Sequence, residues 1–294
     1  MTRAARNRIA IVLLTSPALL IFTVVVAYPI LQTFLKGFYR WDGLSTPIWI
    51  GVRNYVNLFV HNEDFSLAVE NGILFVLVLV VYQIGLGTIL ALTMLDGKLK
   101  ARNIYKAAYF IPVVLSISVV CQLWVSIYSY DHGLINSALK ALGSSFRQGW
   151  LADRNTAIFA VAFTNAWQYM GIQFIFLYAG AQAIPEHLFE AARMDGTPQW
   201  KAHVLITIPL MAETYKFCFI LAVTGGLQAF ANMFIMTNGG PGTYTYTLTF
   251  VMYKLAFFSD QLGYASSAAA VLIVECLLAT ILLNRFIARE QYTY

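Results

Sequence analysis

Charge is the scarcest commodity in this 294-residue chain: 11% of residues are Asp, Glu, Lys or Arg, while 59% are hydrophobic and mean hydropathy is +0.67. A soluble globular domain carries about 25% charged residues. So few charges cannot cover a water-facing surface of this length, and membrane integration follows. Cysteine is scarce too. Cys121, Cys218 and Cys276 all fall inside apolar runs without CxxC or Cys/His spacing, which argues against a disulfide framework or a metal site and leaves them as small packing residues. The four histidines, His61, His132, His187 and His203, lie between apolar runs and are expected in loops, His187 and His203 facing water, with no intramembrane cluster for catalysis. No GxxxxGK[ST] phosphate loop occurs, so any ATPase must be a separate polypeptide. The net charge of +5 is spread thinly beside apolar runs, a pattern of membrane topology and not of nucleic-acid binding.

What is abundant is uncharged sequence. Residues 9–35, 71–95, 107–130, 155–185 and 217–253 carry no charge, and 261–284 is broken only by Glu275. Each supplies the roughly 20 apolar residues that a spanning helix needs. The expectation is an all-α membrane protein with six transmembrane helices near 9–31, 71–95, 104–128, 157–181, 213–237 and 266–287, in a single domain over 1–294. The turn Asn238-Gly239-Gly240-Pro241-Gly242 should end the fifth. The first run exceeds the 7–15 residues of a signal-peptide core and lacks a clean cleavage site, so it reads as a retained span with Tyr28-Pro29 as its outer terminus.

Lysine and arginine orient these spans. With the N-terminus inside, the inner segments hold Arg3, Arg6, Arg8, Lys98, Lys100, Arg102, Lys106, Arg193, Lys201, Lys216, Arg285 and Arg289. The longer outer segments hold fewer: Lys36, Arg40, Arg53, Lys140, Arg147, Arg154 and Lys254. The positive-inside rule therefore makes both termini cytoplasmic and places residues 182–212 inside.

That inner loop carries the most specific motif in the chain. Glu190-Ala191-Ala192 is followed, after three residues ending in Asp195, by Gly196, then by Ile206 and Ile208-Pro209. Pro185 suits a first helical turn, and Glu186 favours the positive end of its dipole. Gly196 supplies a turn that a β-carbon would hinder, and Thr197-Pro198 should start a second short helix as N-cap and first position. Local physics alone favours an amphipathic helix lying in the headgroups, and the full spacing out to Pro209 reverses that preference. The full spacing resembles the EAA loop of permease subunits in binding-protein-dependent ABC importers, with Ile208 where that family usually has Leu. Gly51-Val52-Arg53-Asn54-Tyr55, Pro112 to Ser116 with Trp124, Gly133-Leu134-Ile135-Asn136, Thr237-Asn238-Gly239-Gly240-Pro241, and Tyr253 to Phe257 occur in the order of carbohydrate permeases. Together they resemble the maltose and glycerol-3-phosphate type, the subunit with the GGP loop.

The resemblance implies the type I ABC importer permease fold and a place in the bacterial or archaeal plasma membrane. It implies that residues 185–210 dock an ATPase through Glu190, Ala191, Ala192, Asp195 and Gly196. The implied partners are a second homologous permease, two ATP-binding subunits and an extracytoplasmic sugar-binding protein, which would meet the outer loops around 36–70, 129–156 and 238–265. ATP and magnesium would sit on the ATPase, with no cofactor on this chain and no chemistry performed by it.

Carbohydrate sites pair flat aromatic faces with amides that bond hydroxyls. Asn165, Trp167, Gln168, Tyr169 and Gln173 form such a cluster in the fourth span, and Thr224, Gln228, Phe230 and Asn232, beside Gly225-Gly226, form one in the fifth. Amides and small residues also hold spans together. In maltose-type permeases these spans contribute substrate contacts, which points to a pathway. Glu275 costs about 2.5–3.5 kcal/mol at mid-span on insertion scales and should face a cavity or a partner, either as a hydroxyl acceptor or within a subunit interface. No Lys or Arg lies within a span, which favours a neutral sugar or oligosaccharide over glycerol-3-phosphate. A secondary transporter would instead show intramembrane ionisable pairs or repeated discontinuous helices.

Overall fold

The computed structural model describes residues 3–95 and 102–287, with side chains of the first helix from Ile11 onward. The basic residues Arg3, Arg6, Arg8, Lys98, Lys100 and Arg289 therefore have no described side chains. The chain forms two compact units, 1–62 with 251–271 and 63–250 with 272–294.

Its main helices are α1 (Ile11–Lys36), α2 (residues 53–61), α3 (Glu63–Leu95), α4 (Arg102–Val114), α5 (Ile117–Ile127), α6 (Leu134–Ala141), α7 (Ala157–Gln182), α8 (Glu186–Met194), α9 (Gln199–Leu210), α10 (Ala212–Leu227), α11 (Ala231–Met236), α12 (Leu248–Phe257) and α13 (Leu262–Phe286). Three of them, α1, α3 and α13, are long and apolar enough to cross a membrane. The number rises to five if the bent pairs α4–α5 and α9–α10 each count as one span. Besides helices, turns and loops, the described residues hold a two-stranded antiparallel hairpin, β1 (Tyr39–Arg40) with β2 (Ile48–Trp49).

Several expected boundaries move, each for a local reason. Tyr28-Pro29 does not end α1. A wide π turn over Thr23–Ala27, in which the Tyr28 N–H reaches Thr23 O, absorbs the missing N–H and ring clash of Pro29, and the helix continues to Lys36. The same device recurs at Pro209: the turn His203–Thr207 is wide, with the Ile208 N–H on His203 O. The expected straight span 104–128 is two helices bent by 100°. Ser116 breaks it, leaving the helical region (φ −64°, ψ 144°) to cap α5 by accepting the Val119 N–H. The expected span 213–237 stops at Leu227, and α11 begins only after the break at 228–230. Pro198, not Thr197, is the N-cap of the second loop helix.

In the larger unit α7 is the axis. Sixteen of its 26 residues are buried, as expected of a helix enclosed by others. Its apolar core gathers Phe174, Leu177, Tyr178 and Ala181 against Ile84, Ala91 and Met94 of α3 and Cys218 and Ala222 of α10. Gly171 lets α4 pass closely: a β-carbon there would lie 2.2 Å from Tyr109 O. The amides of α7 lower its hydropathy below that of α1, α3 and α13.

In the smaller unit, the buried Asn54 amide donates to Gly37 O and Tyr39 O, both at 2.9 Å, and ties α2 to the chain entering the hairpin. The hairpin turn is closed by Asp42, whose Oδ1 accepts from Leu44 N, Ser45 N and Ser45 Oγ. These bonds hold the Asp42 carboxyl down at about 2. The Lys36 ammonium lies 4.2 Å from the Trp41 ring centroid. Burial raises the Tyr55 phenol above its usual value.

Candidate functional site

Three backbone irregularities meet at one cleft in the larger unit. It has a volume of about 550 Å³ and is lined by Gln83, Asn165, Tyr169, Gln173, Gln228, Phe230 and Asn232 together with apolar residues of α3, α7 and α10 and Ile117. The first irregularity is a wide turn in α3, Val80–Leu86, which carries Gln83. The second is the break before α5, where Leu115 O accepts from Gln168 Nε2 at 3.1 Å. The third is the break between α10 and α11, where Ala229 O accepts from Thr249 Oγ1 at 2.7 Å and Thr247 Oγ1 at 3.3 Å. Non-helical backbone at membrane depth is tolerated where it is buried in protein or lines a cavity, and here the freed carbonyls find side-chain donors.

The amides of the cleft divide into committed and uncommitted groups. Asn165 Nδ2 donates to Asn232 Oδ1 at 2.8 Å, and Asn232 Nδ2 lies 3.6 Å from Cys121 Sγ. Such an interhelical bond contributes about 1 kcal/mol in a membrane. Gln228 Nε2 lies 3.7 Å from Cys276 Sγ. Gln173 Nε2 reaches Cys218 O at 3.4 Å, while its Oε1 is buried without a partner among the described residues.

Not every expected pathway residue lines this cleft. Tyr169, Gln173, Gln228, Phe230 and Asn232 do. Trp167 instead packs edge-on against Trp124, with centroids 5.5 Å apart. Gln168, 1% exposed, serves the Leu115 carbonyl. Glu275 is half-buried on α13, outside the lining, and its side chain makes no hydrogen bond or ion pair among the described residues. Glu213 sits in the first turn of α10 and pairs with Lys216. Gln83 was missed. An amide inside an apolar run was visible, but a single residue has no periodic partner to mark its face. Among the described residues no group of three His, Cys, Asp or Glu could hold a metal ion.

The second candidate surface is the helical hairpin α8–α9. Asp195 is the C-cap of α8 and Gly196 is left-handed at φ +71°. Gly196 N donates to Arg193 O at 3.0 Å and Thr197 N to Ala192 O at 2.9 Å. That pair of bonds is a Schellman motif, in which glycine closes the helix end. Glu190, Ala191, Asp195 and Gly196 are exposed, whereas Ala192 is buried. Met194, 89% exposed, and Trp200, 68% exposed, flank the turn. His203 does not face water as expected. It is buried on the inner face of α9, with Nδ1 3.1 Å from Thr207 Oγ1 and its ring against Phe189.

Apolar helices of membrane-spanning length, an amide-lined cleft opened by interrupted helices and an exposed glycine-closed hairpin are the architecture of a membrane protein. No protein-family model matches the chain. It is 34% identical over 285 residues to the probable ABC transporter permease protein YurN of Bacillus subtilis, covering 96% of this chain and 97% of that protein. It is 31% identical over 249 residues to the multiple sugar-binding transport system permease protein MsmF of Streptococcus mutans, covering 84% of each. Its fold matches a crystal structure of a bacterial alginate ABC transporter in complex with an alginate pentasaccharide-bound periplasmic protein, with a TM-score of 0.82 at 20% identity, covering 98% of this chain and 97% of that chain. The chain belongs to the permease subunits of ABC transporters.

Proposed function

We propose that this chain is one of two homologous permeases in an ATP-driven importer of a neutral sugar or oligosaccharide, forming half of the pathway by alternating access. α7 is the further membrane span, which brings the total to six in a single permease domain over 1–294, with both termini cytoplasmic. Two separate subunits bind ATP and magnesium and hydrolyse the nucleotide, and an extracytoplasmic sugar-binding protein delivers the substrate in a bacterial or archaeal plasma membrane.

The observation that carries the coupling is the fixed, exposed display of Glu190, Ala191, Asp195 and Gly196 on one hairpin in a chain of this family. Ala192, turned inward, seats the hairpin against its own unit, so Ala191 is the small residue available for close approach to a partner. Closure of the ATPases around ATP moves such hairpins and, through the packed α9–α10 bend of 71°, the spans. Support for a sugar comes from the name of MsmF and from a lining that combines Tyr169 and Phe230 with amides. Glycerol-3-phosphate is the alternative solute, and among the described residues no Lys or Arg lines the cleft, which disfavours it. Interrupted helices at a cleft also occur in secondary transporters, but the family relation favours the ATP-driven class.

Glu190→Lys reverses the charge of the docking surface without touching any buried residue. The variant should insert normally and lose both uptake and co-purification of the ATPase. Wild-type uptake by this variant would remove the docking assignment.

A further inference from the structure

We infer that an aromatic groove on the side of α7 away from the cleft holds an acyl chain of an anionic phospholipid of the outer leaflet, with Lys140 and Arg147 at its headgroup. The inference rests on the topology proposed above, which puts residues 129–156 outside, and it concerns the lipid and not the transported solute.

The groove has a volume of about 740 Å³, and its walls include Val78 of α3, Trp124 and Tyr128 at the end of α5, Trp150, and Phe159 and Phe163 of α7. It is separate from the cleft. With 3.6 residues per helical turn, positions 159, 160 and 163 of α7 fall on the side opposite to 165, 169, 172 and 173, which line the cleft. The walls offer no polar group. The Tyr128 hydroxyl donates to Ala160 O at 3.2 Å, Trp150 Nε1 to Asn136 Oδ1 at 3.2 Å, and Thr156 Oγ1 to Trp150 O at 3.0 Å. Trp124 packs edge-on against Phe163, with centroids 5.2 Å apart, and its Nε1 is buried beneath the surface. A sugar or an ion placed here would leave its own polar groups unpaired. A hydrocarbon chain has none to lose.

Length selects a lipid chain over a helix of the second permease. The lining follows the chain from Thr156 to Phe163, about 10 Å at 1.5 Å per residue. A spanning helix would need contact through a hydrocarbon core about 30 Å thick, whereas an acyl chain stays within its own leaflet. Charge selects the headgroup. At the outer end stands α6, which contributes Leu134 and Ile135 to the lining. With the loop after it, α6 exposes Leu134, Leu142 and Phe146, as a segment seated at the membrane surface does, and Tyr128 and Trp150 suit the aromatic belt at that level. Lys140 and Arg147 of the same segment are exposed and make no ion pair among the described residues. Of the acids in this segment, Asp131 precedes α6 and Asp153 Oδ1 accepts from Asn155 N at 2.7 Å. Cations at a membrane surface attract anionic lipid.

The test uses the assembled importer in phosphatidylcholine vesicles that contain a trace of phosphatidylglycerol with a photoreactive diazirine in its acyl chain. Peptide mapping should find the label concentrated on the groove walls over the exposed faces of α1 and α13. Unlabelled phosphatidylglycerol should displace it at about one tenth of the mole fraction that phosphatidylethanolamine requires. Lys140→Gln combined with Arg147→Gln alters only exposed side chains and should abolish that preference. Val78→Phe narrows the groove and should remove the label from it. Label spread evenly over α1, α13 and the groove means annular lipid only and overturns the site. Absence of label from the groove, the result expected if the second permease covers it, overturns the site too, as does a double glutamine variant that keeps the full preference. Topology is read separately: Ser137→Cys, at an exposed position of α6, should react with an impermeant thiol reagent from outside. Reaction from inside alone overturns the topology, and with it the outer-leaflet assignment, whatever the lipid label shows.

Discussion

Replacing Gly196 by alanine isolates the backbone of the proposed docking hairpin from everything else. The residue is left-handed at φ +71°, and a β-carbon built on it meets no atom of the described residues within 4 Å. Steric exclusion therefore contributes nothing, and the whole penalty is conformational, about 1–2 kcal/mol for an L-residue in this region. That amount lowers the ratio of closed to open hairpin about 5–30-fold, at the expense of the bonds from Gly196 N to Arg193 O and Thr197 N to Ala192 O. Asparagine tolerates the left-handed region better than alanine, and proline cannot enter it at all. Saccharide-stimulated ATPase activity of the assembled importer should fall in the order Gly, Asn, Ala, Pro. Membrane yield should stay constant, because the position is exposed. An alanine variant as active as wild type, or more active than asparagine, would refute the reasoning.

The remaining predictions concern packing and the hairpin of the smaller unit. Asn54→Ala removes a buried amide that ties two carbonyls and should cost about 1–3 kcal/mol, read as a lower unfolding temperature and faster proteolysis between residues 37 and 53. Gly171→Ala drives a β-carbon into Tyr109 O and should destabilise the α4–α7 contact by about 1–3 kcal/mol, measured by thermal unfolding in detergent. Asp42 is held at about 2 in the folded turn against an ordinary value of 3.8. Its stabilisation is therefore present above pH 3.8 and is lost as pH falls towards 2. Proteolysis of the turn should accelerate only across that window, and Asp42→Asn should remove the dependence.

Much of this molecule is legible in its sequence because membranes impose simple rules. Uncharged runs locate α1, α3 and α13, and the clustered amides of residues 165–173 mark α7 as the helix with the polar interior. The α8–α9 hairpin is legible because Gly196 requires a backbone conformation that few residues accept, and its spacing to Pro209 is specific. The breaks at Ser116 and at 228–230 were hidden, since the partners that make them tolerable come from elsewhere. Leu115 O depends on Gln168, and Ala229 O on Thr247 and Thr249. No local pattern announces such long-range acceptors. Pro29 misleads for the opposite reason: proline signals a helix end, and a wide turn before it cancels the signal. The polar neighbours of His203 in the sequence suggest exposure, whereas its burial is decided by the face of α9 on which it falls.

The most direct test of the central claim is ATPase activity of the co-expressed, tagged complex in lipid, with its binding protein, across a panel of saccharides. The account predicts that an ATP-binding subunit co-purifies with this chain and that a neutral saccharide stimulates hydrolysis. Co-purification without stimulation by any saccharide would leave the coupling in place and contradict the carbohydrate assignment. Failure of any ATPase to co-purify with the intact chain would contradict the importer itself.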